Sequence, residues 1–269
     1  MHRLHAPHNQ PSGDESPAEA VATTRRALIG TAAGLGAAAL VAPGVVLHTL
    51  SAQAETAPIT NKSRWGLLIE TDKCAEGCRA CIEACDHEHG LDRQVPEGSP
   101  SKWEQQKAVW IRKVKLQDNQ TGRITQLPLM CQHCEHPPCV DVCPTGASFK
   151  RADGIVMVDR HLCIGCRYCM MACPYKARSF IHHNTTGQLT AVPRGKGCVE
   201  SCNLCVHRRD YGQDSTACAD ACAATGHHAI LFGDLKDPES PIRRRMREIQ
   251  NRQIREDLGL NTGVRYAGI

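Results

Sequence analysis

Short apolar runs, separated by polar and turn-rich stretches, predict a fold built from small strands and hairpins. Trp65–Glu70 is typical of a short strand. Ala108–Leu116 alternates in part and Ile124–Leu129 is a second such run, and Asp118–Gly122 supplies the turn that would join them in a hairpin. Ala229–Phe232 predicts a closing strand late in the chain.

A second hairpin is predicted in the middle of the chain. Ser148–Arg151 and Ile155–Val158 flank an Asp-Gly pair, which favours a tight turn. Residues 86–106 are polar and rich in Gly and Pro, which predicts a loop. Residues 175–197, with more Gly and Thr, are predicted to form a linker.

The tail of the chain differs in character. Ser240 and Pro241 are typical of the cap and first position of a helix, and Gly259 is typical of its end. Ile242 belongs to an apolar face, whereas arginines occupy most of the other faces. Two interpretations are open: a solvated charged helix, or a docking element for a partner subunit or an anionic membrane surface.

The N-terminal region predicts export. A twin arginine at Arg25 and Arg26, a modest Ala/Gly-rich apolar stretch to Leu50 and an A-x-A site ending at Ala54 are typical of a cleaved twin-arginine signal peptide. The alternative is an uncleaved membrane anchor. No 18-residue apolar run follows Ala54, so we expect a periplasmic protein that meets the membrane only through partner subunits.

One stretch carries the strongest chemical signal. From Cys163 to Pro174 the chain follows the pattern C-x2-C-x2-C-x3-C-P. Three such cysteines on a tight loop can face one iron–sulfur cube, whereas the fourth ligates a second cluster. We expect Cys173 to open a helix directed away from the first cube, with Pro174 in its first turn, where a missing N–H costs little.

Sixteen of the 17 cysteines fall into four groups of four, and Cys198 is left over. Zinc sites and a disulfide framework are the alternatives. Zinc sites close with four ligands that normally come from two short pairs, and disulfide-dense chains are usually much shorter. The groups are Cys74, Cys78, Cys81 and Cys85; Cys131, Cys134, Cys139 and Cys143; Cys163, Cys166, Cys169 and Cys173; and Cys202, Cys205, Cys218 and Cys222.

Composition favours cofactor binding. Aromatic residues make up only 4% of the chain, so metal binding would supply folding free energy that a small apolar core lacks. The formal net charge is +4, and each oxidised four-iron cluster with its thiolates would add about −2. No basic stripe interleaved with aromatics occurs, which argues against nucleic-acid binding. No C-x-x-C-H motif occurs, so covalent c-type haem is not expected.

Two arginines and two histidines inside the cysteine groups bear on the cluster chemistry. Arg79 and Arg167 are candidates for raising a cluster's reduction potential, and the alternative is a solvent-facing loop charge. His133 and His136 are not needed as ligands, and we expect hydrogen-bonded or exposed imidazoles.

Residues 65–235 resemble the four-cluster ferredoxin-type subunits of membrane-bound oxidoreductases, such as those of polysulfide reductase, formate dehydrogenase and periplasmic nitrite reduction. The resemblance rests on the four cysteine groups, on Cys143–Ala147 and on Phe232–Leu235. It implies an α+β fold of tandem bacterial-ferredoxin-like modules, with an inserted hairpin and a C-terminal helical tail. With the export signal, the chain is most similar to periplasmic subunits of complexes linked to dissimilatory sulfite reductase.

This organisation predicts five segments. They are a signal peptide at 1–54, the first cluster loop with the inserted hairpin at 55–130, a central two-cluster ferredoxin module at 131–190, the fourth cysteine group packing on the first at 191–235, and a charged tail at 236–269.

The resemblance also implies that the groups pair crosswise to hold four [4Fe–4S] clusters. Two departures concern the same predicted pair: three residues separate Cys74 from Cys78, and Cys222 is followed by Ala instead of Pro. The implied ligand sets are Cys74, Cys78, Cys81 and Cys222; Cys202, Cys205, Cys218 and Cys85; Cys131, Cys134, Cys139 and Cys173; and Cys163, Cys166, Cys169 and Cys143.

The implied function is the relay of single electrons, with no catalytic residue and no organic substrate. The implied partners are an integral membrane quinone-interacting subunit and a multihaem cytochrome c. The alternatives are a subunit of another respiratory complex (hydrogenase, nitrite or polysulfide reductase), a thiol/disulfide redox enzyme using Cys198, and a zinc-binding module.

Two spacings compete around Cys198. Cys198-x3-Cys202-x2-Cys205 repeats the spacing of the first group, which would make Cys198 a ligand in place of Cys218. Cys218-x3-Cys222 instead reproduces the step from the third to the fourth cysteine in the other groups. We favour Cys218, because the crosswise arrangement requires that step.

Overall fold

The computed structural model describes residues 59–92 and 106–269. The predicted signal peptide at 1–54 and part of the predicted loop at 86–106 lie outside the described residues. The strands are β1 (Trp65–Glu70), β2 (Arg112–Gln117), β3 (Ile124–Leu129), β4 (Ser148–Lys150), β5 (Val156–Val158), β6 (Ser179–Phe180), β7 (Val199–Glu200), β8 (Ile230–Asp234) and β9 (Val264–Ala267). The helices are α1 (Ala80–Glu88), α2 (Pro138–Asp141), α3 (Tyr168–Ala172), α4 (Val206–Asp210), α5 (Ala217–Ala224) and α6 (Pro241–Glu248), with 3₁₀ turns at Thr71–Lys73 and Glu256–Leu258. This mixture confirms the predicted α+β class.

The central sheet has the order β8-β1-β9. β1 runs antiparallel to β8, with Leu67 opposite Phe232, and parallel to β9, with Leu67 opposite Val264. Leu67, Leu68 and Ile69 are fully buried, so both faces of the middle strand are covered. Burial of each of these side chains contributes about 1.5–3 kcal/mol. The predicted strands Trp65–Glu70 and Ala229–Phe232 are thus confirmed, and they pair with each other.

Both predicted hairpins are present. β2 pairs with β3 and β4 pairs with β5, each antiparallel. In the first turn the Asp118 carboxylate accepts a hydrogen bond from the Gln120 N–H at 2.8 Å. In the second turn Gly154 has a φ of +87°, a conformation that glycine adopts without the cost of a Cβ.

The strand predicted over Ala108–Leu116 begins later, at Arg112. Around Val109 the backbone has another partner: the Ser179 hydroxyl accepts from the Val109 N–H at 3.0 Å and donates to its carbonyl oxygen at 2.8 Å. This side chain satisfies backbone groups that a sheet partner would otherwise take. Ser179 itself belongs to β6, which pairs with β7, so the segment predicted only as a linker contains a strand.

The helix predicted to end at Gly259 is shorter, because α6 ends at Glu248. Ser240 caps it as predicted, accepting from the Arg243 N–H at 3.3 Å. The side-chain amide of Asn251 donates to the carbonyl oxygens of Met246 and Ile249 at 2.9 and 3.0 Å. These bonds satisfy carbonyl groups left free at the helix end.

After α6 the tail returns to the body of the protein. β9 joins the central sheet, and Tyr266 is fully buried. The Leu67 N–H donates to the Gly263 carbonyl oxygen at 3.0 Å, and a Cβ at Gly66 would overlap that oxygen. The ion pair between Arg245 and Glu70, at 2.7 Å, fastens α6 to the end of β1. The tail is therefore an integral part of the fold, and within α6 the exposed Arg244 and Arg247 fit the interpretation of a solvated charged face.

Across residues 59–92 and 106–269, no helix has both the length and the apolar content that a membrane crossing requires.

Candidate iron–sulfur sites

Two pairs of short helices carry the later cysteines of the groups. α1 contains Cys81 and Cys85, and α5 contains Cys218 and Cys222. These two helices pack against each other, and each cysteine pair is spaced four residues apart, on one helix face. The pairing of α1 with α5 brings the first and fourth groups together.

The second and third groups are joined by the packing of α2 against α3. Cys139 lies in α2 and Cys169 in α3, whereas Cys173 follows α3 in an extended conformation, with a ψ of 112°. The prediction that Cys173 opens a helix is therefore wrong. The following Pro174 is the reason, since a residue before proline is disfavoured in helical conformation.

Site A is a small cavity beside α1 and α5. Burial raises the pKa of the Cys81 thiol to about 12, and the nearby sulfurs of Cys218, Cys74 and Cys222 add to this. Lys113 of β2 also lines the cavity and acts in the opposite direction on Cys81. The cysteines lining site A are Cys74, Cys78, Cys81 and Cys222.

Site B is the set of Cys85, Cys202, Cys205 and Cys218, all of them buried. Burial raises the pKa of the Cys85 thiol well above its usual value, and the sulfurs of the other three cysteines raise it further. All four sulfurs are thus close neighbours.

Site C is the set of Cys131, Cys134, Cys139 and Cys173, which are also buried. Burial raises the pKa of the Cys134 thiol to about 12, and the sulfurs of the other three members contribute in the same direction. The second cysteine group is therefore completed by the last cysteine of the third.

Site D is a second small cavity. Its cysteines are Cys143, Cys163, Cys166 and Cys169. Cys166 is exposed, whereas every cysteine of sites B and C is buried. Exposed apolar side chains surround it, and we call Leu162, Ile164, Tyr168 and Met171 the apolar patch; Ile164 and Met171 are 68% and 65% exposed.

The four sites follow one another in the order A, B, C, D. Cys218 of site B acts on the pKa of Cys81 in site A. Burial is the main cause of the raised pKa of Cys202 in site B, and Cys131 of site C raises it further. Burial is likewise the main cause of the raised pKa of Cys139 in site C, and Cys169 of site D raises it further. Each site therefore has a sulfur that lies close to a sulfur of the next.

The donor set fits [4Fe–4S] clusters. Buried thiols with raised pKa values lose their protons when they bind metal, and backbone N–H groups already point at several sulfurs, as is usual around iron–sulfur clusters. The N–H groups of Ser148, Val199, Ala217 and Ala229 donate to Cys143, Cys163, Cys205 and Cys222 at 3.3, 3.5, 3.5 and 3.2 Å.

In the described part of the chain, metal-ligating side chains do not converge on the position of a single ion. There, no group of three or more His, Cys, Asp or Glu side chains is placed to hold one metal ion. A zinc site needs its sulfurs about 2.3 Å from one point, whereas the cysteines of sites A and D stand around cavities.

Cys198 lies outside all four sets. Its thiol donates to the Arg160 carbonyl oxygen at 3.3 Å, and its pKa is raised by burial and by the neighbouring sulfur of Cys163. Cys198 is thus near site D, whereas Cys218 lies in site B. The ligand assignment of the sixteen cysteines, including Cys218, stays a prediction that this placement supports.

The two arginines singled out in the sequence differ in position. Arg79 is exposed and faces Glu83 at 3.9 Å, which fits a solvent-facing loop charge. Arg167 lines site D and stacks over Phe180 at 4.1 Å. Sequence reasoning missed Lys113 and Arg178, which both lie outside the four cysteine groups.

The two histidines of the second group are placed differently. His133 is buried and its Nδ1 accepts from the Val156 N–H at 3.1 Å. Burial lowers the pKa of His133 to about 3, so the imidazole is neutral. His136 is exposed. One imidazole is thus hydrogen-bonded and the other exposed, as the sequence predicted.

Comparison with known proteins places the chain in a family. Residues 123–234 and residues 73–147 each match a 4Fe-4S dicluster domain. The chain belongs to the 4Fe-4S dicluster iron–sulfur subunits of oxidoreductases, which transfer electrons within a complex and are not themselves the catalytic subunits.

Several relatives are similar along most of their length. The chain is 39% identical over 235 residues to the Hdr-like menaquinol oxidoreductase iron-sulfur subunit 1 of Archaeoglobus fulgidus, covering 78% of this chain and 85% of the relative. It is 34% identical to a tetrathionate reductase subunit of Salmonella typhimurium, covering 77% and 74%. It is 35% identical to a sulfite dehydrogenase subunit of Allochromatium vinosum, covering 74% and 81%.

Proposed function

We propose that the chain carries four [4Fe–4S] clusters, one at each of sites A to D, and relays single electrons along them. Bound clusters of this kind store and pass one electron at a time. The observation that carries the proposal is the row of four cysteine sets, in which each set has a sulfur close to the next. The protein's part is to hold neighbouring clusters close and to set their potentials through hydrogen bonds and nearby charges.

Metal content tests this proposal directly. Anaerobically purified protein should contain about sixteen irons and as much sulfide, corresponding to four cubes of four. Reconstitution with iron and sulfide that saturates near eight irons would refute the four-cluster arrangement. A preparation that instead binds zinc stoichiometrically and takes up no sulfide would favour the zinc-binding alternative.

We further propose that the protein works in the periplasm, in a membrane complex of sulfur metabolism, as the DsrO-type subunit of a complex linked to dissimilatory sulfite reductase. The twin-arginine motif at Arg25 and Arg26 supports export of a folded, loaded protein. Relatives named for menaquinol, tetrathionate and sulfite reactions support a quinone-linked sulfur complex.

The proposed partners are an integral membrane quinone-interacting subunit and a multihaem cytochrome c. The apolar patch beside site D, next to the exposed Cys166, supports contact with the membrane subunit there. Exposed apolar patches on a protein surface mark interaction sites.

Export has its own test. Changing Arg25 and Arg26 together to lysine should leave the protein in the cytoplasm with its iron content intact. Cell fractionation with an iron assay on each fraction measures this. Unchanged export of the double variant would contradict the signal assignment.

A further inference from the structure

Arg178 is buried between two of the cysteine sets. It lies between α3 and β6, is 5% exposed, and its Nη2 donates to the Cys139 sulfur of site C at 3.1 Å. The same guanidinium counteracts the burial that raises the pKa of Cys169 in site D. One cation thus faces sulfur ligands of two neighbouring sites.

The charge of Arg178 has no carboxylate to balance it among residues 59–92 and 106–269, since no ion pair involves it there. Burial alone would lower the pKa of the guanidinium, but the sulfurs of Cys139, Cys131 and Cys169 raise it. An unpaired charge is costly inside a protein. Thiolate ligands and sulfides of bound clusters at sites C and D would balance this buried charge.

Two nitrogens of Arg178, which together carry three N–H donors, also lack partners. Its Nε and Nη1 are buried without a hydrogen bond. A guanidinium offers five N–H donors in a fixed fork, and only Nη2 has a partner in the hydrogen bonding described above. Sulfurs of bound clusters at sites C and D would be acceptors for the free donors.

We propose that Arg178 is a positioning residue that sets the reduction potentials of the clusters at sites C and D together. This inference rests on the four-cluster proposal. Reduction adds negative charge to a cluster, so a fixed cation stabilises the reduced state and raises the potential. Because the cation is buried, solvent does not screen it as it screens a surface charge.

The test is a redox titration followed by EPR on the whole loaded protein, comparing wild type with Arg178→Gln. Iron is measured first. In the variant, the ratio of reduced to oxidised cluster at fixed potential should fall about tenfold at both C and D, corresponding to about 59 mV for a one-electron couple. Sites A and B should keep their wild-type ratios.

Arg167→Gln is the matched control. This arginine also faces site D, but it is exposed, so water screens it. Removing Arg167 should leave the ratio of reduced to oxidised cluster at site C unchanged. At site D this ratio should change much less than tenfold. If the two variants shifted the reduction potential at site C equally, the proposal would be overturned, because the buried position of Arg178 would then make no difference.

A measurement on unchanged protein covers the case in which Arg178→Gln loses iron. In wild type grown with ¹⁵N-arginine, pulsed EPR of the reduced clusters should show nitrogen coupling at both C and D. Absence of this coupling overturns the role of Arg178. So do unchanged reduction potentials in an Arg178→Gln variant that keeps about sixteen irons. Either result leaves the four-cluster proposal standing. Saturation of wild type near eight irons instead refutes the four-cluster proposal.

Discussion

Cys198 shows how a single thiol can lie beside a cluster site without belonging to it. Its sulfur neighbours Cys163 of site D, but its hydrogen bond goes to the Arg160 carbonyl oxygen. Cys218, the competing ligand, is buried with the cysteines of site B, and the Thr216 hydroxyl lies 3.3 Å from its sulfur. Position in space therefore favours Cys218 over the local repeat in spacing.

Serine substitutions at the two cysteines should give opposite results. Cys198→Ser should keep about sixteen irons, whereas Cys218→Ser should lose or convert one cluster, a loss of up to about four irons. Because cluster binding is coupled to folding, the Cys218 variant should also give less folded protein. Iron assay and cluster EPR measure both effects. Loss of a cluster in the Cys198 variant alone would reverse the assignment.

The residues that sequence reasoning found and missed differ in one physical respect. Ligand cysteines are fixed by spacing along a loop, because a cube demands its sulfurs at set distances. Arg178 reaches Cys139 across a separation of 39 positions, and no local pattern encodes such a contact. Arg79 was singled out for its place inside a group, but its side chain points to solvent.

At the scale of elements, one buried ion pair anchors the segment predicted as a linker. Arg194 pairs with Glu200 of β7, with side chains 3% and 1% exposed, and its Nη1 donates to the Gly90 carbonyl oxygen at 3.1 Å. The pair therefore ties three parts of the chain: residues 175–197, β7, and the segment that follows α1.

Arg194→Met should destabilise the protein by about 3–5 kcal/mol, because it leaves a buried carboxylate without its partner. Thermal unfolding of loaded protein under anaerobic conditions, at a fixed scan rate, measures the loss. The double variant Arg194→Met with Glu200→Leu removes both charges and should recover much of the lost stability. A double variant less stable than either single variant would contradict this account.

Elements set by local pairing were predictable, and elements set by distant pairing were not. The β2–β3 and β4–β5 hairpins have their turns encoded between them. The end of α6 depends on Asn251, and β9 depends on a parallel alignment with β1, nearly the whole described chain away. A run of four residues such as Val264–Ala267 carries too little pattern to predict a strand in the absence of its partner.

At the scale of the whole molecule, site D differs from the other sites by its exposed cysteine and its apolar patch. Ile164→Glu with Met171→Glu should weaken co-purification with the membrane subunit, since two charges would then have to be desolvated at the interface. Iron content should stay at about sixteen. Pull-down from detergent-solubilised membranes, quantified against total protein, measures the effect.

Tyr211→Glu is the control for the patch. Tyr211 is 70% exposed and follows α4, outside the apolar patch. It should leave co-purification unchanged. An equal loss in the two variants would show a general effect of surface charge, and undiminished binding by the patch variant would place the membrane partner elsewhere.

The strand order of the central sheet determines when during synthesis the sheet can close. β1 is made early, but both of its neighbours, β8 and β9, come from residues after 229. On the ribosome, β1 must wait for almost the entire chain, and pairings so distant in sequence form slowly. A chain released before Val264 has neither β9 nor its buried Tyr266, so the sheet stays open on one side. For a protein proposed to leave the cytoplasm already folded, closure of this sheet would report that residues 264–267 have been made and have paired with β1.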